Sequence, residues 1–137
     1  MNEAPNILQV DLNRATPVYR QIADGLRTLL VGGDFKPGDQ LPTVRQLAVD
    51  LGVHFNTVAE AYRLLADEGW LELRRHHGAT VVLRPVQSPD AAEHRTYIQR
   101  LRELAAQAIS NGVTPRMVAQ ELTALAEEIQ KQERAHE

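Results

Sequence analysis

The feature that most constrains this chain is its punctuation between residues 41 and 54. Leu41-Pro42-Thr43 leads into a stretch with Val44, Leu47, Ala48 and Leu51, and only Gly52-Val53-His54 separates that stretch from the next. Apolar residues at those intervals share one face of a helix. Thr43 and Gln46 have the spacing of a capping box, in which each side chain satisfies the other residue's amide. A helix this short, about two turns, is stabilised by packing more than by propensity. The next helix runs from Phe55 to Glu68, starting anywhere from His54 to Asn56, with Val58, Ala61, Tyr62 and Leu65 inward and Gly69 closing it.

The flanking segments complete the pattern. Residues 1–16 form a short arm, in which Ile7, Gln9, Val10 and Asp11 make one brief strand or none. Thr16-Pro17 opens a helix, because threonine caps the first amides and proline is preset for the first turn. Val18, Ile22, Leu26, Leu29 and Leu30 form its stripe, and Gly32-Gly33 ends it. Asp34 to Asp39 reads as a turn by composition. After the third helix, Trp70, Leu71 and Leu73 interleave with Glu72 and Arg74 as a half-buried strand. Arg75-His76-His77-Gly78 is a hairpin tip, with Gly78 suited to a positive φ, and Ala79 to Leu83 returns as a β-branched strand. Helix, short helix, glycine-bearing turn, helix and hairpin together describe a winged helix-turn-helix over residues 17–84.

Prolines mark residues 85–89 as a linker, and residues 90–137 as a tail of two helices. The first opens at Ser88-Pro89-Asp90 and reaches Ser110. The second opens at Thr114-Pro115 after Gly112 and reaches about Arg134. Ile98, Leu101, Ala105 and Ala108 step by 3, 4 and 3, and Val118, Leu122, Leu125 and Ile129 by 4, 3 and 4. These are narrow coiled-coil seams. Two antiparallel helices with one seam each satisfy each other, while Tyr97, Leu104, Ile109 and Met117 flank the seams and leave apolar surface over. A twofold dimer covers such surface; the alternative is packing on the chain's own winged domain. The expected fold class is therefore mainly α with a small β-hairpin: a winged helix-turn-helix followed by a C-terminal antiparallel two-helix dimerisation tail.

Composition narrows the function classes. Cysteine is absent from the 137 residues, which removes disulfide scaffolds, thiolate metal sites and a cysteine nucleophile. No run approaches a membrane span, and the first residues lack the basic and apolar regions of a signal peptide, so the expected location is the cytoplasm. Aromatic residues make up 4%, too few for a platform of stacked bases. No serine–histidine–acid arrangement, phosphate-cradling glycine loop or zinc-helix spacing appears, so neither an enzyme nor a cofactor is expected. His76 and His77 are adjacent and point to opposite faces of a strand, a poor chelate.

The bracing helix of such a motif lets its partner lie in a major groove about 12 Å wide. Residues at the start of that partner then meet base edges. Here they are His54, Phe55, Asn56 and Thr57, with Ala59, Glu60 and Arg63 further along the exposed side. Asn56 has the fork that fits adenine; Thr57 bonds a phosphate or a base; the small Ala59 permits close approach. Both Asn56 and Thr57 also suit helix capping. Arg45 sits at the positive end of the bracing helix, where stability favours an acid, so a phosphate anchor accounts for it better than a solvated arginine. Arg74 and Arg75 lead into the hairpin tip with His76, His77 and Gly78, and serve either as wing contacts to DNA or as solvated edge charges. Lys36 in the preceding turn is the weakest candidate.

The run from Leu41 through Leu71, followed by R-R-H-H-G-A-T-V-V, resembles the GntR family of bacterial transcription regulators, and the short two-helix tail resembles its YtrA-type subgroup. The resemblance covers about Thr16 to Leu83: the L-P turn, the arginine after it, the L-G-V turn, the T-V pair and the E-G stop fall in order. It implies DNA contacts by Arg45 and by His54, Asn56 and Thr57, a homodimer reading an inverted repeat, and repression. Many family members carry arginine where this chain has Phe55 and Ala59, and the subgroup often has proline at the Phe55 position, so base preference does not carry over. The family's wing pattern G-x-G-T, aligned on Thr80, places its glycines at His77 and Ala79, with Gly78 between.

The tail is too small to enclose a pocket of several hundred Å³. Any small effector is expected at the dimer seam or between tail and winged domain. One feature opposes DNA binding: from Pro17 to Arg84 there are seven arginines and one lysine against eight acids. Phosphate neutralisation drives DNA affinity, so the charge must be segregated. Arg45, Arg63, Arg74 and Arg75 are expected on one face, with Asp24, Asp34, Asp50 and Asp67 mostly elsewhere; Glu60 on that face would repel phosphate or accept from cytosine. A winged helix used only for protein contact is the alternative.

Overall fold

The computed structural model describes residues 8–75, 78–83 and 90–135, and the chain divides into two compact units, Met1–Pro85 and Val86–Glu137. The first unit holds α1 (Val18–Gly32), α2 (Val44–Leu51), α3 (Phe55–Asp67), β1 (Leu71–Arg74) and β2 (Gly78–Val81). The second holds α4 (Ala91–Ser110) and α5 (Pro115–Ala135). Ile7, His76, His77, Arg84 and the 85–89 linker lie outside the described residues.

The stripes read from sequence meet in one core. Ile22, Leu26 and Leu29 of α1, Leu47 of α2, and Val58 and Leu65 of α3 are its most deeply buried large side chains. Burial at this level contributes about 1.5–3 kcal/mol per side chain. α3 packs against both α1 and α2 and passes into β1. Across the α1–α3 contact, Arg27 makes a bidentate pair with Glu68, Nε to Oε1 at 2.9 Å and Nη2 to Oε2 at 2.6 Å. Hydrogen bonding to Glu68 raises the Arg27 pKa further above an already high value.

Helix ends differ in detail from expectation. Thr16 does not cap α1: Pro17 holds the N-cap place and contributes no side-chain bond. The buried Gln21 ties down the incoming chain instead. Its Oε1 accepts the Asp11 N–H, and its Nε2 donates to the Asp11 and Thr16 carbonyls, all within 2.8–2.9 Å. Residues 9–11 form no strand. Leu8 nevertheless enters the core, lying against Gly25 so closely that a Cβ there would overlap its Cδ1. The capping box of α2 forms by half. Thr43 Oγ1 accepts the Gln46 N–H at 3.1 Å, but the Gln46 side chain donates forward to Asp50.

The hairpin pairs antiparallel, Leu71 opposite Val81 and Arg74 opposite Gly78. Gly78 takes the positive φ, +72°. The returning strand is shorter than expected, ending at Val81, and Leu73 is exposed rather than half-buried. The turn before α2 has a second role. Gly38 and Leu41 donate to the carbonyls of Val81 and Ala79, and Val81 donates to Asp39. β2 is therefore bonded on both edges, and the wing is fixed to the segment that leads into α2.

In the second unit Asp90 caps α4, accepting the Ala92 N–H at 2.7 Å, and Thr114 accepts from Met117 at the start of α5. Gly112, with φ +103°, turns the chain between them. The helices touch near this turn. Ala105, Ala108 and Val118 are partly covered there, and the other α4 and α5 residues whose exposure is described are exposed. The seams thus satisfy each other only next to the turn, less than their spacing led us to expect. Ile98, Leu101, Leu122, Leu125 and Ile129 remain 40–51% exposed. Among the described residues no helix is long and apolar enough to cross a membrane.

Candidate nucleic-acid interface

The site is built on the first turn of α3. His54 is the N-cap, with Nδ1 accepting the Asn56 N–H at 3.1 Å. That assigns the capping role to His54 and leaves Asn56 and Thr57 inside the helix. Neither of their side chains makes a hydrogen bond to the described residues; Asn56 is exposed and Thr57 half-buried. The His54 ring also stacks on Phe55, centroids 4.6 Å apart and planes 27° from parallel. Phe55 stays 49% exposed.

Along the same helix, Phe55, Ala59 and Arg63 stand four residues apart and so form one row. Ala59 and Arg63 line an open cleft whose other walls are Thr43, Val44 and Arg45 at the start of α2 and Leu73, Arg74, Gly78 and Ala79 of the hairpin. Arg45, Arg63 and Arg74 come from three different elements, and no acid is among the described residues that line the cleft. Arg45 and Arg63 are exposed and make no ion pair among the described residues. Arg74 pairs with Glu72 at 3.2 Å, an exposed contact worth little. The N-terminal amides of α2 add positive potential to the same wall.

Tyr62 sets the spacing of these walls. Its hydroxyl donates to the Pro42 carbonyl at 2.6 Å from within the core, joining α3 to the turn before α2. Burial raises the pKa of this hydroxyl. Sequence spacing identified Tyr62 as an inward residue but gave no sign of this bond. Leu73 was likewise missed as a cleft residue, because strand alternation pointed it inward.

Apart from Glu72, which pairs with the cleft-lining Arg74, the acids named from sequence lie away from the lining. Asp24 accepts from Arg27 at 2.8 Å, Asp50 accepts from Gln46, and neither Asp34 nor Asp67 lines the cleft. Glu60 is exposed on α3 one turn beyond Asn56 and in the same row, so it stands on the recognition side. Arg75 is exposed just beyond β1 and outside the cleft lining, as is Lys36, whose N–H donates to Asp39. His76 and His77 lie outside the described residues. Among the described residues, no group of three or more histidines and acids is arranged to hold a metal.

Three helices with a hairpin, and a cationic cleft beside the exposed turn of the third helix, define a winged helix-turn-helix protein. The model for the gntR family of bacterial regulatory proteins matches residues 18–81. The chain is 39% identical over 103 residues to the HTH-type transcriptional regulator Rv1152 of Mycobacterium tuberculosis, covering 71% of this chain and 81% of that one. This chain belongs to the gntR family. It is 40% identical over 75 residues to the HTH-type transcriptional repressor YtrA of Bacillus subtilis, covering 55% of this chain and 58% of that repressor's length. Among solved structures, YtrA from Sulfolobus acidocaldarius, a GntR-family transcription factor, is 32% identical with a TM-score of 0.52, covering 89% of this chain and 98% of that one.

Proposed function

We propose that the chain is a homodimeric transcriptional repressor that reads an inverted-repeat operator in double-stranded DNA and carries out no enzymatic step. One observation carries the reading: Arg45, Arg63 and Arg74 converge on one cleft beside the exposed start of α3, with no acid among its described lining residues. Cations at that spacing neutralise backbone phosphates and set the register, while Asn56 and Thr57 reach base edges. Arg75, exposed just beyond β1, adds a further cation to the hairpin. The exposed seam residues Ile98, Leu101, Leu122, Leu125 and Ile129, with Ala105 and Val118, form the contact between two copies. Any effector binds at that seam, no metal or cofactor takes part, and the protein works in the cytoplasm. Repression follows when such a dimer occludes a promoter, in keeping with the name of the B. subtilis relative.

Titration of fluorescent inverted-repeat duplexes, taken from a random-sequence selection, tests this at two salt concentrations. Specific binding that weakens steeply with salt is expected. Absence of both sequence preference and salt dependence would refute it.

A further inference from the structure

Building on the DNA-reading role proposed above, we propose that Phe55, held by its stack on His54, is a specificity-determining residue that packs on the C5 methyl group of a thymine in each half-site. The recognition turn has no arginine with which to fork onto a guanine edge. Its foremost exposed group is instead a phenyl ring, 49% exposed and 4.6 Å from the His54 imidazole. The cap bond from the Asn56 N–H to His54 Nδ1 fixes the imidazole, and the stack in turn limits the phenyl ring's rotamers. An apolar ring ordered before binding loses little entropy on docking.

Its position also suits the task. Phe55 continues the row of Ala59 and Arg63, which line the cationic cleft. A ring in that row enters the groove once the arginines hold the phosphates, and the small Ala59 behind it lets the helix approach. The thymine methyl is the only apolar group that the major groove displays, and aromatic and small apolar side chains are its usual partners. Asn56 stands on the next residue with its amide unengaged, so the pair favours a step containing thymine and adenine.

Burying one methyl accounts for about fourfold in affinity per half-site, and about fifteenfold for two. The test uses the full chain and duplexes enriched from a random pool, with each thymine replaced in turn by deoxyuridine, which pairs alike but lacks the methyl. We expect one position per half-site where deoxyuridine weakens wild-type binding about fourfold. In Phe55→Ala the thymine and deoxyuridine duplexes should bind equally, and Phe55→Leu should keep part of the difference. The exposed ring contributes little to the core, and the wild-type scan stands even if a variant misfolds. Duplexes that bind with salt dependence but show no methyl effect, or a Phe55→Ala variant that retains it, overturn the inference and leave the regulator reading intact. Failure to enrich or bind any DNA overturns both.

Discussion

At the residue scale, Asn56 and Arg45 separate two kinds of contact. Asn56 is the second residue of the recognition helix, and nothing else in the described chain engages its exposed side-chain amide. Asn56→Ala should therefore change which base is preferred at one position, at a cost of about 1–3 kcal/mol on the preferred sequence. Arg45→Ala should weaken all sequences alike and lower the salt slope by about one per protomer. Binding isotherms on matched and mutated duplexes at several salt concentrations check both; equal, sequence-independent losses from the two variants would refute the division. Tyr62 acts by holding other residues. Tyr62→Phe leaves the Pro42 carbonyl without its donor and should cost about 1–3 kcal/mol in urea unfolding. Because burial raises the Tyr62 pKa in the folded state, the unfolded chain loses that proton first. This part of the stability is complete below a pH of about 10, the ordinary tyrosine value, and declines as pH rises beyond it. The wild-type unfolding midpoint should thus fall more steeply above that pH than the midpoint of Tyr62→Phe.

At the element scale, the helices were legible because spacing and glycine punctuation agreed. Val44, Leu47 and Ala48 set one face of α2, and Gly52 ended it at φ +70°. The need to segregate charge in a formally neutral domain led us to expect Arg45, Arg63, Arg74 and Arg75 on one face; the first three line one cleft and Arg75 does not, and the shape of that cleft was not legible, since it depends on how three elements pack. The third edge of the wing was hidden for a related reason. Gly38 to Leu41 runs from the end of the Asp34–Asp39 turn into the lead to α2, and its bonds to β2 come only from tertiary folding. Gln21 was hidden because a polar residue within an amphipathic helix gives no sign that it will be buried. It now makes the arm part of the first unit through bonds to Asp11 and Thr16. Gln21→Ala should release that segment: hydrogen exchange at the Asp11 amide should quicken, and stability should fall by about 1–3 kcal/mol. Unchanged exchange at Asp11 would show that Leu8 against Gly25 suffices to hold the arm.

At the scale of the whole molecule, the proposed function calls for two copies, because one recognition helix reads only a few base pairs. A twofold pair reads an inverted repeat with half-sites about one helical turn apart or a multiple of it. The tail has the means to make that pair. Its seams are spaced for coiled-coil packing, yet within one chain they cover each other only beside the turn, leaving Leu122, Leu125 and Ile129 42–47% exposed. In a twofold interface each substitution acts twice, so Leu125→Asp places two carboxylates in an apolar contact. Because Leu125 belongs to the second unit, the core of the first should remain intact. Sedimentation equilibrium should find the wild type dimeric and the variant monomeric. Affinity for a full inverted repeat should then fall by about 10²–10⁴, because the second half-site no longer binds at the high effective concentration a dimer provides. Binding to a duplex with a single half-site should hardly change. A variant that remains dimeric, or that loses half-site binding as strongly as full-site binding, would place the interface elsewhere than on this seam.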